Sequence, residues 1–112
     1  MRVLLVEDEG LIAADICARL EALGYNVTGT VSTVAEAVEQ AAGADIVLMD
    51  IRIDGPGDGI EAATMIRERY RLPVVFLTAH TDASTLERAK LAGPCGYIVK
   101  PVAAAALQTT IE

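Results

Sequence analysis

Three runs of consecutive bulky apolar residues punctuate the chain: Val3-Leu4-Leu5-Val6, Ile46-Val47-Leu48-Met49 and Val74-Val75-Phe76-Leu77. A strand with one wet face alternates apolar and polar positions, so runs without alternation predict strands buried on both faces, as in a parallel sheet. Each run stops at polar chemistry: Glu7-Asp8-Glu9, then Asp50, then Thr78-Ala79-His80. Val27 to Val31 mixes β-branched residues with Gly29 and polar groups, which predicts a less buried strand at or near a sheet edge. Tyr97-Ile98-Val99 predicts a last short strand that ends in Lys100-Pro101.

Helical spacing fills the intervals. Leu11, Ile12, Ile16, Leu20 and Leu23 recur with helical period, and Gly24 stands where a C-cap belongs. Thr33-Val34-Ala35-Glu36 has capping-box spacing and opens a helix that Gly43 closes. After Asp50, Arg52-Ile53-Asp54-Gly55-Pro56-Gly57 predicts a loop. Asp58 is a candidate cap for a helix carrying Ile60, Ala63, Ile66 and Tyr70 inward and Glu61, Arg67 and Glu68 outward, which stops before Pro73. Ser84-Thr85-Leu86-Glu87 repeats the capping-box spacing before a short helix through Leu91, broken at Gly93-Pro94-Cys95-Gly96. Ala103 to Ile111 is alanine-rich and predicts a terminal helix.

Five strands alternating with five helices imply a parallel sheet covered on both faces. For this size the expected architecture is an α/β, flavodoxin-like (βα)5 doubly wound sheet with strand order 2-1-3-4-5, whose switch point falls between strands one and three. Those are the strands that end in Glu7-Asp8 and in Asp50. The positions of the acids and the topology rule converge on one crevice.

Composition narrows the partners. With 112 residues, 53% of them hydrophobic, residues 1–112 are expected to form one domain with a genuine core. Sixteen acidic against nine basic residues give a net charge of -7, which repels phosphate backbones and anionic lipid head groups and argues against direct nucleic-acid binding. Cys17 and Cys95 lack metal-ligand spacing, and His80 is the sole histidine, so free thiols in a reducing cytoplasm are expected. No signal peptide or bilayer-spanning run is present, and the expected location is cytoplasmic. The end at Glu112 is early for a complete final helix, which suggests an output domain beyond it.

Glu7, Asp8 and Asp50, brought close together, repel unless a cation intervenes. Oxygen-only donors favour Mg2+, or Mn2+, over zinc, and few protein ligands leave room for water and a phosphate. Glu9 reads as a solvated helix-start acid. Thr78 contributes a hydroxyl to the same rim. Lys100 alone would read as a snorkelling surface residue, but beside an acidic cluster it reads as a charge partner. An aspartate, a divalent ion, a hydroxyl and an ammonium together equip a site for phosphoryl transfer to a carboxylate, a transition state that mainly needs positioning and charge neutralisation.

With these motifs in order, Glu7-Asp8, Asp50, Thr78-Ala79, Tyr97 and Lys100-Pro101, the whole chain resembles the receiver domains of two-component response regulators. The resemblance implies that Asp50 accepts a phosphoryl group from a histidine kinase or histidine phosphotransfer protein. It further implies that Glu7, Asp8, Asp50 and the backbone carbonyl of Arg52 hold Mg2+, and that Thr78, the Ala79 backbone and Lys100 bind phosphoryl oxygens. Tyr97 is similar to the family's switch aromatic, with a plain core tyrosine as its alternative. Arg52 and His80 match the two positions that flank the phosphoryl site and tune hydrolysis; an exposed loop residue is the alternative for His80. The Lys100-Pro101 bond is expected to be cis.

Glu7 departs from the frequent aspartate by one methylene, and the loop after Arg52 is expected to be one residue longer than the commonest pattern. The expected product is a phosphorylation-controlled switch rather than a multiple-turnover enzyme, acting through a rim formed by the last two helices and the fifth strand. Ala103 to Ala106, Leu107 and Ile111 could pack on the core or form a homodimer face. A pseudo-receiver that signals by contact alone is disfavoured by retention of the acids, Thr78 and Lys100. A flavin-binding reading is disfavoured by the acidic first turn. A phosphoaspartate hydrolase would want a second aspartate where Arg52 stands.

Overall fold

The computed structural model describes residues 1–51, 58–78, 87, 88, 90, 91, 93 and 96–99. Five strands, β1 (Arg2–Val6), β2 (Asn26–Val31), β3 (Ile46–Asp50), β4 (Val74–Thr78) and β5 (Gly96–Val99), form one parallel sheet in the order β2-β1-β3-β4-β5. This is the doubly wound flavodoxin-like order expected from the apolar runs. The helices described between them are α1 (Gly10–Ala22), α2 (Val34–Gln40) and α3 (Gly59–Tyr70). Residues 87, 88, 90 and 91 are also helical, in the interval where a fourth helix is expected. The expected terminal helix from Ala103 lies outside the described residues.

Strand pleating divides the core. Along β1, Val3 and Leu5 face a cluster with Ala13, Ile16 and Leu20 of α1, whereas Leu4 and Val6 face a cluster with Ala37 and Val38 of α2 and Ile60, Ala63 and Ile66 of α3. Each central strand alternates between the two clusters, which is why none could alternate between apolar and polar. β2 is an edge strand, more open to solvent than the central ones, as its mixed composition predicts. It carries a bulge: Val3 pairs with Val27 but Leu4 with Gly29, leaving Thr28 as the extra residue.

The caps expected at Thr33 and Asp58 form, with two refinements, while the one expected at Ser84 lies outside the described residues. Thr33 Oγ1 accepts from the Glu36 N–H at 3.2 Å and donates to Glu36 Oε1 at 3.1 Å, and α2 passes through a 3-10 turn, Ala41–Gly43, before it ends. Asp58 Oδ1 accepts from the Glu61 N–H at 3.0 Å and caps α3. Gly24 follows α1 at φ +93°, a conformation that suits a residue without Cβ. α3 instead ends on Arg71 at φ 58°, and its N–H donates to the Arg67 carbonyl.

Leu11 departs from expectation. It is 90% exposed. Three and four residues on from it are Ala14 and Asp15, both exposed, so it shares the outer face of α1, and the inner face is built from Ala13, Ile16 and Leu20 with Ile12, Cys17 and Leu23 half-buried beside them. Among the described residues no helix is long and apolar enough to cross a membrane.

Candidate functional site

Parallel pairing aligns the carboxyl ends of the strands. Val6 of β1 pairs with Met49 of β3, so the next step along both chains sets Glu7 beside Asp50. Asp50 pairs in turn with Leu77 of β4, and Thr78 pairs with Val99 of β5. Thr78 therefore occupies the register position just past Asp50, and β5 stops one residue before Lys100. Tyr97 is opposite Phe76. Register alone gathers four strand ends on one edge.

Asp50 does not leave the core when its strand ends. It is 7% exposed, and Glu7 is 4% exposed; they are the two buried charged residues among those described. Burying a carboxylate is costly unless it is hydrogen-bonded, paired or bound to a cation, and Glu7 is hydrogen-bonded into its own turn. Its N–H donates to the Val31 carbonyl at 3.0 Å, and its Oε1 accepts from the Glu9 N–H at 3.3 Å. Asp8 follows on that turn as the most accessible of the three acids. Glu9 is exposed and stands at the N-cap of α1 without a side-chain cap bond, the solvated helix-start role expected for it.

One carboxylate oxygen from each of Glu7, Asp8 and Asp50 lies within 4.8 Å of the others. Three acids so arranged, with no His or Cys ligand among them, make a hard donor set. They fit a Mg2+-like ion that keeps several waters and takes only a few carboxylates. Glu7 and Asp8 also border a cavity of about 300 Å³ between α1 and the end of β2, with Cys17, Ser32 and Glu36 on its other walls. The Cys17 thiol is half-buried, and burial, seconded by the Glu21 carboxylate, pushes its pKa up, so it stays protonated.

The backbone behind Asp50 is held tightly. The Ile51 N–H donates to the Leu77 carbonyl at 3.3 Å, and the Gly59 N–H donates to the Ile51 carbonyl at 2.7 Å. A Cβ on Gly59 would fall on the Asp50 carbonyl oxygen and crowd Ile51 Cα. Gly59 thus lets α3 start directly against the strand end, a close approach that only glycine allows. Sequence reading placed no role on Gly59; its only signal was a glycine directly after the candidate cap.

Of the expected site residues, Glu7, Asp8 and Asp50 come together as carboxylates, and Thr78 and Tyr97 take the expected register positions in the sheet. Arg52, Ala79, His80 and Lys100 lie outside the described residues, as does Cys95.

Comparison with known proteins agrees with this geometry. A family model described as response regulator receiver domain matches residues 3–112. The transcriptional regulatory protein PdtaR of Mycobacterium tuberculosis is 40% identical over 113 residues, which cover 99% of this chain and 55% of PdtaR. The chain thus spans about half the length of that curated relative. Among solved structures, the signal receiver domain of a modulated diguanylate cyclase from Desulfovibrio desulfuricans G20 superposes with a TM-score of 0.93 at 43% identity, covering 98% of this chain and 89% of that one. The receiver domain of the sensor histidine kinase PA1611 from Pseudomonas aeruginosa PAO1, solved with a magnesium ion in its active-site cleft, gives 0.86 at 36% identity, with 96% and 91% covered.

Proposed function

The chain belongs to the response regulator receiver domain family, and from that premise we propose that Asp50 is its phosphoacceptor. Receiver domains take phosphoryl groups from histidine kinases and work as signalling switches. The observation that carries the assignment is the burial of Asp50 at the end of a central strand, within 4.8 Å of Glu7 and Asp8. In the reading offered here an Asp50 oxygen forms a bond to phosphorus as the P–N bond of a donor phosphohistidine breaks, and the departing imidazole takes up a proton. The donor is a histidine kinase or a histidine phosphotransfer protein.

Glu7, Asp8, Asp50 and the Arg52 carbonyl would hold Mg2+, with Mn2+ as a substitute of the same class. That ion would neutralise charge on the transferring oxygens. Thr78, the Ala79 N–H and Lys100 are assigned to the phosphoryl oxygens, Tyr97 to the switch, and Arg52 and His80 to the rate of hydrolysis. The site supports one self-modification per signal followed by its own dephosphorylation. Residues 1–112 act as one receiver domain, cytoplasmic and without direct contact to nucleic acid, consistent with the -7 charge. The face formed by the fifth strand and the expected last two helices is assigned to the output, and a homodimer through that same face is one form the output could take.

Incubation with acetyl phosphate and Mg2+, followed by intact mass measurement, tests the assignment. One phosphoryl mass is expected on the wild type and none on Asp50→Asn. A wild type that gains no mass from acetyl phosphate or from any histidine kinase would remove the phosphoacceptor reading and leave a contact-only module.

A further inference from the structure

Asp58 is engaged twice. Its Oδ1 caps α3, and its Oδ2 lies 2.8 Å from Nη2 of Arg88, in the helical stretch between β4 and β5. The same stretch meets α3 again farther along. Gly93, at φ +66°, has the Arg67 guanidinium where its Cβ would be, so the last turn of α3 lies against the bare Cα of a residue that no side chain could occupy without displacing Arg67. Two contacts, Asp58 with Arg88 and Arg67 with Gly93, thus hold Arg88 and Gly93 to α3 near its two ends.

The first contact has leverage on the site. Asp58 directly precedes Gly59, whose N–H holds the Ile51 carbonyl at 2.7 Å and whose Cα has no clearance from the Asp50 backbone. Whatever shifts Asp58 shifts the backbone on which Asp50 is mounted. Arg88 grips the second oxygen of that capping carboxylate, so it is fastened to the start of α3 from outside the acidic cluster.

We propose that Asp58 and Arg88 form a latch that positions the Asp50 backbone and thereby sets the rates at which the phosphoryl group enters and leaves. The rate part rests on the phosphoacceptor reading of Asp50. Neither residue touches the reacting atoms; both are positioning residues. A misplaced Asp50 carboxylate slows both steps, because its oxygen must be in line at phosphorus as the nucleophile when the phosphoryl group arrives and as the leaving group when water takes the phosphoryl group away. The pair is partly open to solvent, 54% for the Arg88 side chain and 26% for that of Asp58, so its effect is modest and is screened by salt.

The test uses Arg88→Ala, Arg88→Lys and Asp58→Asn. Asparagine is as good a helix cap as aspartate, so the last variant removes the ion pair and keeps the start of α3. Without any phosphodonor, Arg88→Ala and Asp58→Asn are expected to shift the backbone amide resonances of Ile51 and Gly59. With acetyl phosphate and Mg2+, each is expected to slow phosphorylation and dephosphorylation together by roughly two- to fivefold. The double variant should be no slower than either single one, Arg88→Lys should recover much of the rate, and 1 M salt should bring the wild type toward the variants. Unmoved Ile51 and Gly59 amides, or single-variant effects that multiply in the double variant, would overturn the latch. A wild type that takes no phosphoryl group would remove the phosphoacceptor reading alone, because the amide comparison needs no phosphodonor.

Discussion

The two ends of the central strand β3 carry aspartates with opposite fates. At its amino end Asp45 is exposed and paired: its Oδ2 accepts from the Arg2 N–H at 2.7 Å and its Oδ1 sits 3.3 Å from Arg2 Nη2. The Arg2 backbone and side-chain hydrogen bonds hold the Asp45 carboxyl below its ordinary range. At the carboxyl end Asp50 is buried beside two further acids. One end ties β1 to β3 and contributes to the fold. The other gathers three carboxylates on one rim, an arrangement whose mutual repulsion a bound cation would relieve. Parallel strands make this division possible, because all their carboxyl ends share one edge and all their amino ends the other.

The contrast can be broken most forcefully at the carboxyl end. Gly59→Ala places a methyl group on the Asp50 carbonyl oxygen, and overpacking against backbone is expected to cost about 2–3 kcal/mol, read as a lower urea midpoint at an unchanged m-value. An alanine variant as stable as the wild type would show that α3 can retreat from Asp50 freely. Asp50→Asn removes one of three like charges and is expected to raise stability by on the order of 1 kcal/mol in Mg2+-free buffer. That advantage should shrink as Mg2+ is added, because the ion stabilises the wild type by binding it. Loss of stability in Mg2+-free buffer would mean that like-charge crowding does not govern this edge.

The smallest effect belongs to the amino end. Asp45→Asn is expected to lower Tm slightly at neutral pH, as befits an exposed pair. The sign of its pH dependence follows from the lowered carboxyl: the contribution is present above the unfolded-state pKa and is lost as pH falls through the lower folded-state value. The Tm difference between wild type and Asp45→Asn should therefore vanish in acid and persist at pH 7. A difference that grew on acidification would contradict the Arg2–Asp45 account.

Much of this was legible in the residues. Unbroken apolar runs can be satisfied only by burial on both faces, so β1, β3 and β4 declared both their type and their central place, and the mixed run at Val27 declared an edge. The acids at the ends of β1 and β3 then located the crevice, because the order of a doubly wound sheet brings those two strands together. The periodicity of α1 was legible too, but which residues face inward was not. Leu11 fits a helical repeat, yet the direction from which the sheet approaches places it with Ala14 and Asp15 on the outside.

The amino-acid sequence by itself determined the strands, their parallel winding, and the meeting of Glu7, Asp8 and Asp50, since these depend on local patterning and on a topology rule with few alternatives. Only the tertiary structure decided that Asp50 stays buried at its strand end, that Gly59 must lack a side chain, and that Arg88 reaches back to Asp58. Those three depend on which separate segments the fold brings into contact and how closely. A single glycine or arginine looks the same in sequence whether or not a backbone or a carboxylate lies against it.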